Sequence, residues 1–119
     1  MVDKKIYKKK LKVIVFGGSG FIGSHVAESL YENGYQVIVA DLKKSKDLNK
    51  KILFQRVDIN NRKRVFKLVK KNSVVFNFAA IADIQDSYNN PLKTLNVNII
   101  GCANILHACA QNKAKKFIL

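Results

Sequence analysis

Val13-Ile14-Val15-Phe16-Gly17-Gly18-Ser19-Gly20-Phe21-Ile22-Gly23 passes directly from four consecutive apolar side chains to a glycine at every third position. An unbroken β-branched and aromatic run of this kind suits a strand buried on both faces of a parallel sheet. The glycines end it at once, and Ile22, Val26, Ala27 and Leu30 then recur at helical spacing up to Asn33-Gly34, a left-handed stop. The reading is strand, turn, helix. Each glycine has a separate physical role, with Gly17 making the tight turn, Gly20 letting the main chain approach a diphosphate, and Gly23 allowing close packing of helix on strand. The helix N-terminus would face the phosphates with unpaired amides and the positive end of its dipole. The absence of a Gly-Lys-Ser/Thr sequence argues against a mononucleotide P-loop.

Moving outward, Tyr35 to Ala40 forms a second apolar strand ending at Asp41, 24 residues after Gly17 and 18 after Gly23. A carboxylate there can accept both ribose hydroxyls of an adenosine and would repel a 2′-phosphate, which favours NAD over NADP. Lys43 and Lys44 on the same loop leave NADP open as the lesser alternative. Ile52 to Val57 is a third strand closed by Asp58, and Asn60 or Asn61 can cap a helix running to about Lys71 with Val65, Phe66 and Val69 inward. Ser73 to Ala79 is a fourth strand. A longer loop holding Asp83, Asp86, Ser87 and Pro91 leads to a helix from about Leu92 to Asn112, and Lys116 to Leu119 is a fifth strand cut at the terminus.

The alternation predicts an α/β fold, a Rossmann-type doubly wound parallel sheet of order 3-2-1-4-5, truncated after the fifth strand. With that order Asp58 and Ile59 lie at the adenine edge, where Asp58 accepts from the adenine amino group or instead caps the next helix. Asn77-Phe78-Ala79-Ala80 falls on the other side of the switch point, where small residues admit the nicotinamide half.

Composition sets the limits. The 119 residues, 48% of them hydrophobic, suffice for one domain at 11–119, preceded by a disordered basic tail at 1–10. There is no apolar run of membrane-spanning length and no secretory core, so a cytoplasmic protein is expected. Cys102 and Cys109 share one helical face, too far apart to bridge, and read as buried reduced thiols; no metal site is expected. Lysine and arginine total 22 against 8 acidic residues, a net charge of +14. They cluster at Lys4 to Lys12, Lys43 to Lys51, Arg62 to Lys71 and Lys113 to Lys116, on expected solvent faces without a nucleic-acid-binding motif. A solvated lysine-rich surface is the expectation, nucleic-acid binding the lesser alternative.

These motifs together, in this order, resemble the extended short-chain dehydrogenase/reductase family, in particular its NAD-dependent nucleotide-sugar epimerases and dehydratases such as the UDP-glucose 4-epimerases. The opening run through Ser24-His25, Asp41, Val57-Asp58-Ile59, Phe78-Ala79-Ala80, Ser87 to Pro91 and Asn98-Ile99-Ile100-Gly101 carry the likeness, from about Lys12 to Leu119. The resemblance implies Gly17, Gly20, Phe21 and Ile22 along the diphosphate, Asp41 on the adenosine ribose, Asp58 and Ile59 at the adenine, and Phe78, Ala79 and Ala80 along the middle of the cofactor. Asn98 is a further implied cofactor residue. It also implies a nucleotide-sugar substrate, a keto-sugar intermediate, and a homodimer through the helix at about 92–112, whose apolar positions fit plain core equally.

Two positions depart from the family pattern: Asn77 stands where relatives often have histidine, and Ala82 where epimerases can carry a lysine. The family's proton relay, a serine or threonine and a Tyr-x-x-x-Lys pair, has no match, since none of Tyr7, Tyr31, Tyr35 and Tyr88 is followed four residues later by lysine. No catalytic residue is therefore expected here, and the chain reads as the N-terminal, cofactor-binding portion. A non-catalytic NAD-binding regulatory or redox-sensing module is the alternative.

Overall fold

The computed structural model describes residues 11–119, so the expected tail at 1–10 lies outside the described residues. Five strands, β1 (Lys12–Phe16), β2 (Gln36–Asp41), β3 (Leu53–Arg56), β4 (Val74–Asn77) and β5 (Lys116–Ile118), form one parallel sheet in the order β3-β2-β1-β4-β5. This is the expected order. Because successive side chains of a strand point to opposite faces, the unbroken run in β1 supplies both cores at once. Val13 and Val15 join Val37 and Val39 beneath Ala27 of helix α1 (Phe21–Glu32). Ile14 and Phe16 join Ile38, Ala40 and Val75 beneath Val65 and Leu68 of α2 (Arg62–Leu68) and Ile105 and Ala108 of α5 (Cys102–Gln111).

Local chemistry sets the helix ends, and here several expectations are corrected. Asn61 caps α2 by accepting from the Arg64 amide at 3.1 Å, whereas Asp58 accepts from the Asn60 amide at 2.9 Å in a turn and caps no helix. Helix α2 stops at Leu68 because Val69 is extended and buried, short of the expected Lys71. In α1, Gly23 and Ala27 are the residues buried against the sheet, while Ile22 is 61% exposed.

The expected loop before the last long helix contains α3 (Ile84–Asn89), capped by Asp83, which accepts from the Asp86 amide at 2.8 Å. Asn90 then caps α4 (Pro91–Leu95), with proline in the first turn where its missing N–H costs nothing. The expected continuous helix is divided: a π-helical turn over Asn96–Gly101 joins α4 to α5. Two anchors coincide with that turn. Asn98 is tied to the main chain of Ile81, and Gly101 sits so close to Ile59 that a Cβ would lie 2.5 Å from its Cγ1. At the other end of α5, Asn112 donates from Nδ2 to the carbonyls of Phe66 and Val69, both at 2.8 Å, locking α5 to α2.

Cys102 is half-buried and Cys109 buried, both free; burial pushes the Cys109 thiol up to about 11, so it stays protonated at neutral pH. Among the described residues no helix is long and apolar enough to cross a membrane.

Candidate functional site

Strand β1 lies between β2 and β4, so the chain leaves it in one direction along the sheet after the first crossover and in the other later. Open α/β sheets form their ligand crevice at that switch point, beyond the carboxyl ends of the strands. The cleft found there, of about 470 Å³, is lined by Gly17, Ser19 and Gly20 of the glycine turn, Asp41 to Lys43 after β2, Val57 to Ile59 after β3 and Phe78 to Ile81 after β4. Lys93 and Val97 complete its wall.

The turn is held by the strand ends themselves. The Gly17 amide donates to the Ala40 carbonyl at 2.9 Å and the Phe78 amide to the Phe16 carbonyl at 2.8 Å, so the turn is clamped between β2 and β4. Gly17 has φ +73°, and a Cβ on it would lie 2.5 Å from the Phe78 carbonyl carbon. Gly20 is different. With φ −78° and ψ 176° it suits any residue, and a Cβ there would meet only the Gly17 carbonyl oxygen at 3.4 Å. The fold does not require glycine at position 20, and what its missing side chain leaves open is the cleft. No side chain caps α1 and its first turn holds no carboxylate, so its free amides and positive dipole end are not neutralised within the helix.

Asp41 is half-buried and its carboxylate is already oriented. Oδ2 accepts from the Ser19 amide at 3.0 Å and Oδ1 from the Leu42 amide at 2.7 Å. Each oxygen has a second lone pair for a further donor, such as a ribose hydroxyl. The Ser19 hydroxyl in turn accepts from the Ser45 amide at 3.3 Å, joining the loop after β2 to the glycine turn. Asp58 is exposed at the rim and Ile59 is buried beneath it. Asn77 is buried and its Oδ1 accepts from the Ala79 amide at 3.0 Å, fixing the turn that places Ala79 and Ala80 on the cleft.

Gly17, Gly20, Asp41, Asp58, Ile59, Phe78, Ala79 and Ala80 thus meet at one cleft, as the sequence led us to expect. Four others stand elsewhere. Phe21 and Ile22, 83% and 61% exposed, do not line the cleft, and their main-chain amides lie in the first turn of α1. Gly23 is buried behind the turn, where a Cβ would run into the Gly17 carbonyl. Asn98 does not line the cleft: it accepts from the Ile81 amide at 2.8 Å and donates to the Ile81 carbonyl at 2.9 Å, positioning the segment that does.

Sequence reasoning missed Ser19, Ile81, Lys93 and Val97 as wall residues. Ser19 was detectable as the residue between two glycines of the turn. Lys93 and Val97 come from a helix remote in sequence, and only the tertiary fold brings them in.

The NAD dependent epimerase/dehydratase family model matches residues 13–119. A UDP-N-acetyl-alpha-D-glucosaminuronate decarboxylase of Bacillus cytotoxicus is 31% identical over 112 residues, covering 89% of this chain and 35% of that protein. Among solved structures, the UDP-glucose 4-epimerase of Thermotoga maritima with UDP-glucose superposes with a TM-score of 0.80 at 39% identity, covering 90% of this chain and 36% of that one. The UDP-glucose 4-epimerase of Thermus thermophilus, in complex with NAD, gives 0.79 at 35% identity, covering 90% and 36%. The chain spans about a third of the length of the curated relatives it matches.

Proposed function

This chain belongs to the NAD dependent epimerase/dehydratase family, and we propose that it is the NAD-binding half of a nucleotide-sugar epimerase or dehydratase working through a keto-sugar intermediate. The carrying observation is the cleft at the switch point, where an uncapped helix start and an oriented carboxylate stand at the two places a dinucleotide needs them. The amides of Phe21 and Ile22 and the open space at Gly20 hold the diphosphate. Asp41 accepts from the adenosine ribose, Asp58 and Ile59 border the adenine, and Phe78 to Ile81, steadied by Asn77 and Asn98, carry the nicotinamide half. The negative charge of Asp41 favours NAD over NADP.

Bound NAD supplies a hydride acceptor for oxidising a sugar hydroxyl. The residues described here bind and orient; we assign no proton-transfer residue among them. The NAD-bound and UDP-glucose-bound relatives support a dinucleotide and a nucleotide sugar as ligands. The cytoplasm is the proposed setting, in keeping with two free cysteines.

Gly20→Ala is the direct test of the cradle. Stability is expected to change by about 1 kcal/mol or less, since the backbone suits alanine, while NAD affinity measured by titration calorimetry falls about tenfold or more. Wild-type affinity in that variant would remove the diphosphate from this turn.

We also propose that the chain pairs with a second copy through α3, α4 and the π turn. Ile84, Tyr88, Leu92, Leu95 and Ile99, on these three consecutive elements, are each at least half exposed. Sedimentation should show a dimer that Leu95→Asp with Ile99→Asp converts to monomer. A wild-type chain monomeric at high concentration would contradict it.

A further inference from the structure

The cleft at the switch point lies between helical walls that belong to opposite faces of the sheet. Helix α1 packs through Ala27 on the face formed by Val13, Val15, Val37 and Val39. Val97, in the π turn, packs on the other face, against the cluster that contains Ile14, Phe16 and Ile59. Asn98 ties that turn to Ile81 and Gly101 seats it against Ile59, so the segment joining α4 to α5 bridges the wall after β4 and the wall after β3. Lys93 and Val97, four residues apart and so on one side of the helical segment, both border the cleft from there.

The cleft lining holds two cations, Lys43 and Lys93, and two carboxylates, Asp41 and Asp58. Neither carboxylate neutralises Lys93. Asp41 accepts from the amides of Ser19 and Leu42, and Asp58 from that of Asn60. The Lys93 ammonium is in no ion pair or side-chain hydrogen bond among the described residues.

Helix electrostatics does not explain a cation at this position. Although α4 ends at Leu95, the backbone runs on through the π turn into α5, with Asn96, Gly101 and Cys102 all in the right-handed helical conformation, and the run stops only at Gln111. Lys93 therefore stands in the first turn of that run, just after its cap Asn90 and Pro91, where the dipole favours a carboxylate and opposes an ammonium. An unpaired cation held at the positive end of a helix, on the wall of a cleft, is stabilised by an anion in the cleft.

The dinucleotide proposed for this cleft carries its negative charge on the diphosphate. The first-turn amides of α1 take that group from one face of the sheet, which leaves phosphate oxygens on the other side for a donor from the opposite wall. Lys43 shares its loop with Asp41, on the ribose side; Lys93 belongs to the opposite wall. We propose that Lys93 binds the cofactor diphosphate from the face opposite α1, so that its charge is clamped between helix amides and an ammonium. This role rests on the reading of the cleft as a dinucleotide site and adds a specific residue to it.

The test is titration calorimetry of the whole chain with NAD. Lys93→Gln should bind about tenfold more weakly, the low end for a hydrogen bond to a charged group because the side chain is exposed. Lys93→Arg keeps a cation and should stay within about threefold of wild type. Lys71→Gln removes the same charge before β4, at the far end of the strands, and should stay within about twofold, since exposed charges beyond a Debye length are screened. The phosphorus NMR resonances of saturating bound NAD should differ between wild type and Lys93→Gln. Without NAD, Lys93→Gln should melt at or above the wild-type temperature, because it relieves the helix start of a cation.

Wild-type affinity in Lys93→Gln would overturn the role of Lys93, and so would an equal loss in Lys71→Gln or a loss in Lys93→Arg as large as in Lys93→Gln. Phosphorus resonances unchanged in a weakened Lys93→Gln would move the contact away from the diphosphate, and a lowered melting temperature would make Lys93 a support of the fold instead; either result also overturns it. A wild-type chain that binds no NAD fails the dinucleotide reading itself and Lys93 with it, whereas NAD binding untouched by Lys93→Gln fails Lys93 alone.

Discussion

Gly17→Ala is expected to destabilise the chain by about 2–5 kcal/mol, combining the left-handed penalty for a side chain with that of overpacking. The position has φ +73°, and the added Cβ would be driven into the main chain of Phe78 and Ala79, which cannot rotate away as a side chain can. Against a total stability of about 5–15 kcal/mol for a domain, this is a large fraction. Gly18→Ala is the control. Its φ is not left-handed, so only overpacking against the Val39 methyl groups at 2.8 and 2.9 Å and the Val15 carbonyl oxygen at 3.0 Å is added, and a smaller loss of about 1–3 kcal/mol is expected. Thermal denaturation of the two variants measures the difference. A melting temperature unchanged in Gly17→Ala would show that the turn is not clamped between β2 and β4 as described.

Asp41→Ala should have the second large effect, this time on the ligand. A charge-assisted hydrogen bond is worth about 1.5–3 kcal/mol, so losing the ribose acceptor should weaken NAD roughly 10- to 150-fold. NADP should not weaken in parallel, because the same change removes the repulsion between the carboxylate and a 2′-phosphate and leaves Lys43 on the cleft wall. The ratio of the two affinities therefore moves toward NADP. Since Asp41 also accepts from the Ser19 and Leu42 amides, Asp41→Asn separates the roles: an acceptor remains and the charge is lost. If both cofactors weaken equally in Asp41→Ala, the side chain acts only by ordering the loop.

The sheet was legible because one strand had to satisfy two cores. Val13 to Phe16 leaves no polar position for a solvent face, and the glycines that follow exclude its continuing as a helix. Asp41 was legible for a similar reason, as a single carboxylate closing an apolar strand. The hidden features depend on contacts between parts distant in sequence. Nothing in Asn96 to Gly101 announces a π turn; it coincides with the hold of Asn98 on Ile81 and the seating of Gly101 against Ile59, which exist only once α5 is docked. The helical spacing of Ile22, Val26, Ala27 and Leu30 marked a helix without telling which of its residues meets the sheet, because periodicity treats a glycine as neutral. In the fold Gly23 holds the inward position, and a larger side chain there would push α1 off the turn. Asp83 and its partner Asp86 carried a readable capping signal for α3, concealed by the polar composition around them.

Dinucleotide binding at the switch point is tested most directly by amide NMR of the isotope-labelled chain titrated with NAD. The expected shifts are saturable and confined to the amides from Gly17 to Gly23, Asp41 to Lys43, Asp58 and Ile59, and Ala79 to Ile81, with Asn98 responding only weakly. Saturating shifts that bypass the glycine turn, or a complete lack of shifts at millimolar NAD in a folded chain, would contradict the assignment of this cleft.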